Sequence, residues 1–183
     1  MQKVAGKRAT PRVERLHRYW LSLARETAGL SHNGLATTGD RLPPPPRHLL
    51  DPAAIINLLP HVLLAEFETD PFRIRYRLTG TRIDDVSGAN LTGKYLDLLA
   101  IGTDAAAFKP MIENYRHAWR SGEAVIDYYQ WITENGRLMP VCYGIFPLSI
   151  NGRIRQAIAI EEQDLEDIAD PPKPKLKRWS SPS

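Results

Sequence analysis

The sequence has a single cysteine, Cys142, among its 183 residues. One cysteine permits no internal disulfide and no zinc site built from cysteines. Histidine is also sparse: His17, His32, His48, His61 and His117 are dispersed, and none sits in a recognisable metal or catalytic motif. No glycine loop of either common phosphate-cradling type is present. Long apolar runs are missing too. Nothing approaches the ~20 residues that span a bilayer, and no apolar stretch of a secretory signal is seen at the N-terminus. No membrane association is expected, and the chain is read as cytoplasmic. A hydrolase would need a nucleophile, a base and an orienting group. The paired acids Asp84-Asp85 and Glu161-Glu162 are adjacent in sequence, so their side chains point apart. The chain is therefore expected to be a binding module rather than an enzyme.

What remains suits one modest domain. The apolar fraction of 43% is enough for one core, and the net charge of +3 is mild. Much of the positive charge sits at the ends, from Lys3, Lys7, Arg8, Arg12, Arg15 and Arg18 to Lys173, Lys175, Lys177 and Arg178. Basic ends of this kind read as solvated tails, and no nucleic-acid partner is expected.

Residues 12–27 read as a helix, with Val13, Leu16, Trp20 and Leu23 at spacings of three and four. So narrow a stripe suits a helix lying on a sheet or a seam between two copies of the chain. A polar, glycine-containing stretch ending in Pro43-Pro44-Pro45-Pro46 follows, stiff and extended. Asp51-Pro52 is a helix start, with an acidic cap and proline at the first position. The expected organisation is an amphipathic helix over 1–28, a proline-rich linker over 29–47, a globular domain over 48–165 and a basic tail over 166–183.

Two strands come next, over 61–68 and 72–79. The second alternates strictly, with Phe72, Ile74, Tyr76 and Leu78 against Arg73, Arg75, Arg77 and Thr79. Thr69-Asp70-Pro71 supplies the turn. A hairpin then sets Glu68 opposite Arg73, Glu66 opposite Arg75, Phe67 opposite Ile74 and Ala65 opposite Tyr76, with ion pairs on one face. A glycine-punctuated stretch over 80–103 leads to a longer helix. Its buried side is Phe108, Met111, Ile112, Tyr115 and Trp119, with Pro110 at its start or at a kink and Gly122 as its stop.

The last third reads as a three-stranded meander, because Asn135-Gly136 and Asn151-Gly152 are both two-residue hairpin signals. Their registers place Tyr128, Gln130, Ile132, Met139, Val141, Tyr143, Ile145, Ile158 and Ile160 on one face. Tyr129, Trp131, Cys142, Gly144, Phe146, Ala157, Ala159 and Glu161 fall on the other. The first face is the expected core. The second needs an apolar cover, for which the Val13/Leu16/Trp20/Leu23 stripe is suited. A bulge near Pro140 or Pro147 would shift these assignments.

The element order resembles that of a PAS domain carrying an extra N-terminal helix. Local residues carry the resemblance further. Arg15-Leu16-His17-Arg18-Tyr19-Trp20, then Arg47 to Pro52 and Leu58-Leu59-Pro60, are similar to the opening of a stand-alone bacterial PAS family. So is Arg75-Tyr76-Arg77-Leu78-Thr79-Gly80-Thr81-Arg82-Ile83, continuing to Gly88 and Leu91-Thr92-Gly93. The resemblance covers residues 13–162. It implies an α+β fold, a five-stranded antiparallel sheet with short helices on one face. It implies a sensory or regulatory module in signal transduction, binding a small-molecule ligand between helices and sheet, a signalling protein partner, or both. It names no cofactor. Haem-binding relatives use a histidine on the long helix. Here Tyr115 and Trp119 take the inward side of that helix, which leaves His117 at the surface. Flavin light sensors need a cysteine in a short helical motif, whereas Cys142 lies on a strand.

The candidate ligand-binding residues are Tyr76, Tyr115, Tyr128, Gln130, Met139 and Tyr143, whose tips must find partners if buried. Arg82 is a candidate for an acidic ligand group, with an ion pair to Asp84 or Asp85 as its simpler role. Val13, Leu16, Trp20 and Leu23 are the candidate homodimer contact. An alternative fold is the cone-shaped α+β type of nuclear transport factors, which hosts small isomerases and dehydratases. It would need an Asp/His pair on the core face, where the register places none.

Overall fold

The computed structural model describes residues 8–30, 42–99, 105–132 and 138–163, with the backbone alone at 105–107 and 131–132. Residues 31–41 of the linker, the Asn135-Gly136 turn and the tail over 166–183 lie outside it. Helix α1 spans Pro11–Thr27. Three short 3-10 turns follow, at Arg47–Leu49, Pro52–Ile55 and Leu59–His61. The Asp51 carboxylate caps the second of them, accepting from Ala53 N–H at 2.9 Å. Strands β1 (Val62–Thr69) and β2 (Phe72–Thr79) form the first hairpin. Helices α2 (Thr81–Ser87), α3 (Leu96–Leu99) and α4 (Ala105–Ser121) precede β3 (Val125–Ile132), β4 (Leu138–Ile150) and β5 (Arg153–Gln163). Pro110 lies inside α4 rather than at its start, because the strong helix formers Ala105-Ala106-Ala107 add a turn ahead of it. No helix among the described residues is long and apolar enough to cross a membrane.

The five strands form one antiparallel sheet in the order β2-β1-β5-β4-β3. The central strand is thus β5, and the first and last strands of the chain, β1 and β5, lie side by side. One face, here the inner face, is covered by α2, α3 and α4. Its core includes Leu63, Ala65, Phe67, Ile74, Tyr76, Met111, Tyr115, Ala118, Tyr143, Ile145, Ala157 and Ala159. The outer face is covered by α1 and the 3-10 turns, over Ile55, Leu58, Val62, Tyr128, Cys142, Phe146, Leu148, Ile158 and Ile160.

Helix α1 docks on its own chain's sheet. Val13 and Leu16 are fully buried, and Trp20 and Leu23 nearly so. The Trp20 indole donates to the Pro147 carbonyl at 2.8 Å, and His17 stacks on Phe146 with centroids 5.4 Å apart. Gly144 makes the approach possible: a Cβ there would meet the Phe146 ring at 2.6 Å and Val13 Cγ1 at 3.1 Å. At the helix start Glu162 accepts from the Arg12 backbone N–H at 2.9 Å and pairs with the Arg12 guanidinium. The Tyr19 hydroxyl accepts from Asp51 N–H at 2.8 Å, tying the helix to the second turn. These contacts seat Val13, Leu16, Trp20 and Leu23 on the chain's own sheet, one of the two places the stripe suited.

The first hairpin keeps its expected register, with Glu68↔Arg73, Phe67↔Ile74, Glu66↔Arg75 and Ala65↔Tyr76. The ion pairs differ. The segment after α2 adds itself to the β2 edge, with Gly93 N–H on the Tyr76 carbonyl at 2.6 Å and Tyr76 N–H on the Lys94 carbonyl at 2.9 Å. That brings Asp97 to Arg73 at 2.9 Å and the Tyr95 hydroxyl to Glu68 at 2.7 Å. Glu66 is then reached diagonally by Arg77 at 3.6 Å.

The meander departs from expectation at two points. Ile132 pairs with Leu138, not Met139, so Tyr128 faces Cys142 and Asp127 faces Tyr143. On the other side the Asn151-Gly152 turn is as expected, pairing Ile150 with Arg153. A bulge between Leu148 and Ser149 then leaves Arg155 as the extra residue, and Phe146 faces Ile158. Each one-residue slip exchanges the faces of a strand. Tyr128, Gln130, Ile158 and Ile160 therefore belong to the outer face, and Tyr129, Ala157, Ala159 and Glu161 to the inner.

Candidate functional site

The two exchanges assemble a polar cluster on the inner face. Tyr76 comes from β2, Tyr115 from α4, Tyr129 from β3, Tyr143 from β4 and Glu161 from β5. The Tyr129 hydroxyl donates to Glu161 Oε2 at 3.0 Å. The rings of Tyr129 and Tyr143 lie 5.9 Å apart, tilted. From α4, Asn114 Nδ2 donates to the Tyr143 hydroxyl at 2.7 Å and to Asp127 Oδ2 at 3.0 Å. The Tyr76 and Tyr115 phenols lie close enough to influence each other's titration. Beneath the rings, the small side chains of Ala65, Ala157 and Ala159 leave them room.

Burial governs the electrostatics. It pushes the Glu161 carboxyl up to about 6, against the opposing hydrogen bond from Tyr129. Burial, and then the nearby Glu161 charge, holds the phenols of Tyr76 and Tyr129 well above their ordinary range. Tyr115 is raised by burial and then by Tyr76. Tyr143 is raised by burial, with the Asn114 hydrogen bond opposing it. The hydroxyls thus remain neutral groups that donate and accept, around one carboxyl that titrates near neutrality.

Tyr76, Tyr115 and Tyr143 are each 2% exposed. Glu161 and Tyr129 keep part of their surface open, although burial dominates the titration of both.

The remaining expected site residues fall elsewhere. Met139 follows the face of Tyr143 by alternation and is buried. Tyr128 packs in the core beneath α1 and donates its hydroxyl to the Arg8 carbonyl. Gln130, on the same side of β3, is exposed. Both are corrected from inner to outer face by the β3–β4 register. Arg82 is exposed on the first turn of α2. Its expected partner Asp84 instead takes the Thr79 hydroxyl at 2.7 Å and the Leu91 N–H at 3.1 Å. His117 is at the surface, 3.3 Å from Glu123. An open depression of about 680 Å³ lies by the β1–β2 turn, among Glu66, Glu68, Asp70, Ile150 and Arg155. Of its acids, Glu66 pairs with Arg77 and Glu68 accepts from the Tyr95 hydroxyl.

Sequence reasoning missed Glu161, Tyr129, Asn114 and Asp127. It did place Tyr129 and Glu161 on a common face. The signal that would have reversed that face is the alternation Ala157-Ile158-Ala159-Ile160. The two isoleucines suit a helix cover, and the two alanines suit a face that must house bulky rings.

Comparison with known proteins agrees with this architecture. A family model described as a PAS domain matches residues 9–134. No curated protein matches. Among solved structures, a light-oxygen-voltage domain studied with a flavin analogue is 15% identical, with a TM-score of 0.47. The match covers 64% of this chain and 86% of that one. The PAS domain of a protein from Colwellia psychrerythraea is 9% identical at a TM-score of 0.40, covering 56% of this chain and 86% of that one. VqmA from Vibrio cholerae, a LuxR-type receptor, is 13% identical at a TM-score of 0.46, covering 61% of this chain and 49% of that one. With the family match running from before α1 to just past β3, the chain belongs to the PAS domain family.

Proposed function

We propose that this chain is a sensory or regulatory module that binds a small molecule at the inner-face cluster, a protein partner, or both. The observation that supports the reading best is the convergence of Tyr76, Tyr115, Tyr129, Tyr143 and Glu161 from five elements, with Asn114 and Asp127 beside them. Burying polar groups costs stability unless they are paired. A core built only for stability would carry aliphatics here. An apolar enclosure with a few placed hydrogen-bonding groups is the usual makeup of a ligand site.

A catalytic role is not proposed. The hydroxyls are held protonated by burial, and no nucleophile, base and orienting group are aligned among the described residues. Output is expected through protein contacts. Self-association remains part of the proposal, but the buried α1 stripe gives it no support, so it would use another surface. Light scattering of the full chain tests it: a monomer mass at every concentration would remove the homodimer.

Native mass spectrometry with an absorption spectrum tests the ligand half. The expected result is a mass excess that is kept under native conditions and lost on denaturation. An unligated mass with no visible absorption, and no rise in melting temperature with any metabolite offered, would leave only the protein-contact half standing.

A further inference from the structure

We propose that the Glu161–Tyr129 end of the inner-face cluster binds a small organic cation, with an ammonium group held against the Glu161 carboxylate and the tyrosine rings. The inference rests on the sensor reading above and names the class of its ligand.

The first observation is a missing counter-charge. The groups that Glu161 acts on are Tyr76 from β2, Tyr115 from α4, Tyr129 from β3 and Tyr143 from β4, with Asn114 and Asp127 beyond Tyr143. Among the described residues none of these is a lysine, arginine or histidine. His61 reaches Glu161 only through the Glu161 backbone. Arg12, at the start of α1, is committed to Glu162 on the opposite face. Buried carboxylates are normally paired. This one has a single described hydrogen bond, from Tyr129, where an ionised carboxylate can accept about four.

The second observation is what surrounds it. Tyrosine rings present negative faces that attract cations. These phenols are neutral near pH ~7, so each ring offers its face beside a hydroxyl that can donate or accept. An anionic ligand would meet both Glu161 and Asp127. A neutral one would gain the hydrogen bonds without the charge attraction. Only a cation gains from both the carboxylate and the rings. The third observation is access: Glu161 and Tyr129 are the members of the cluster with open surface.

The test titrates n-butylammonium, n-butanol and butyrate into the full chain, reading backbone amide NMR shifts. Butylammonium is expected to move the amides around Tyr129, Tyr143 and Glu161, and to bind at least about tenfold more tightly at pH ~7 than butanol. Butyrate is expected to do nothing there. An alkylammonium stays charged up to a pH of about 10, so pH dependence below that reports the carboxyl. With Glu161 titrating at about 6, affinity should fall about tenfold between pH ~7 and ~5. Glu161→Gln, confirmed folded by its amide spectrum, should abolish both the preference and the pH dependence. Tyr129→Phe keeps the ring and should keep the preference. Butanol or butyrate binding at the same amides as well as butylammonium would overturn the cation class while leaving a small-molecule site. A preference that survives Glu161→Gln would overturn the role of the carboxylate. No shift at these amides with any probe would overturn the site and the ligand half of the sensor reading together.

Discussion

Glu161 links folding to protonation. Its carboxyl is raised from 4.5 to about 6 in the folded chain, mainly by burial. The folded state therefore holds this proton more tightly than the unfolded state, and stability falls as pH rises from about 4.5 to about 6. The loss is at most about 2 kcal/mol, at 1.36 kcal/mol per pKa unit. Other carboxyls titrate in the same range, so the quantity to measure is the difference between wild type and Glu161→Gln in urea unfolding across pH. Wild type should lose stability relative to the variant as pH rises through that window. A difference that stays flat would remove Glu161 from the buried cluster. A second residue-scale prediction concerns Gly144. A methyl group there meets the Phe146 ring and Val13 closer than van der Waals contact allows. Gly144→Ala should therefore cost about 1–3 kcal/mol, seen as a lower melting temperature. At this scale Tyr76 was legible from strand alternation, Tyr115 from helical spacing and Tyr143 from the turn-based register. Glu161 was not. A carboxylate inside a core runs against every composition rule, and only its neighbours' placement reveals it.

Elements differ in how far pattern determines them. The β1–β2 register was readable because one face of β2 is arginine and the other apolar, so a slip would bury charge. Even there, a bulge between Leu64 and Ala65 lies beyond what alternation shows. In the meander both faces of β4 are apolar, from Met139 through Leu148. Hydrophobicity then cannot choose between registers, and turn chemistry was left to decide. The Asn151-Gly152 turn chose correctly at its own end, but the Arg155 bulge reversed the faces three residues later. Helix α1 was legible as an element and as a cover for the sheet, though not in what anchors its start. That anchor is Glu162, reaching the first turn from the end of β5. Arg12 is half exposed, so its ion pair adds little; the hydrogen bond to the helix N-terminus matters more. Glu162→Ala should cost about 1–2 kcal/mol. It should also raise hydrogen exchange in the first turn of α1 more than in its last. Uniform exchange along the helix would place the anchor elsewhere.

Across the whole molecule, one sheet serves two cores that differ in kind. The outer core, beneath α1, is aliphatic and aromatic around Phe146, Leu148, Ile158 and Ile160. The inner core carries the polar cluster. Removal of residues 1–46 should therefore uncover a contiguous apolar face and give a chain that aggregates or melts far lower. A well-behaved monomer of unchanged stability would show that α1 is not part of the fold. The inner core is where this account makes its central claim: the bulge at Arg155 and the β3–β4 register bring Glu161 in among four tyrosines. The most direct test is a carbon-detected NMR titration of the Glu161 side chain in the full chain. The account predicts a midpoint near 6, moving toward the ordinary carboxylate value when Tyr129 and Tyr143 are unfolded with the rest of the chain by urea. A midpoint at or below the ordinary value of about 4.3 in the folded chain would mean that the carboxyl faces solvent, and the site as described here would not exist.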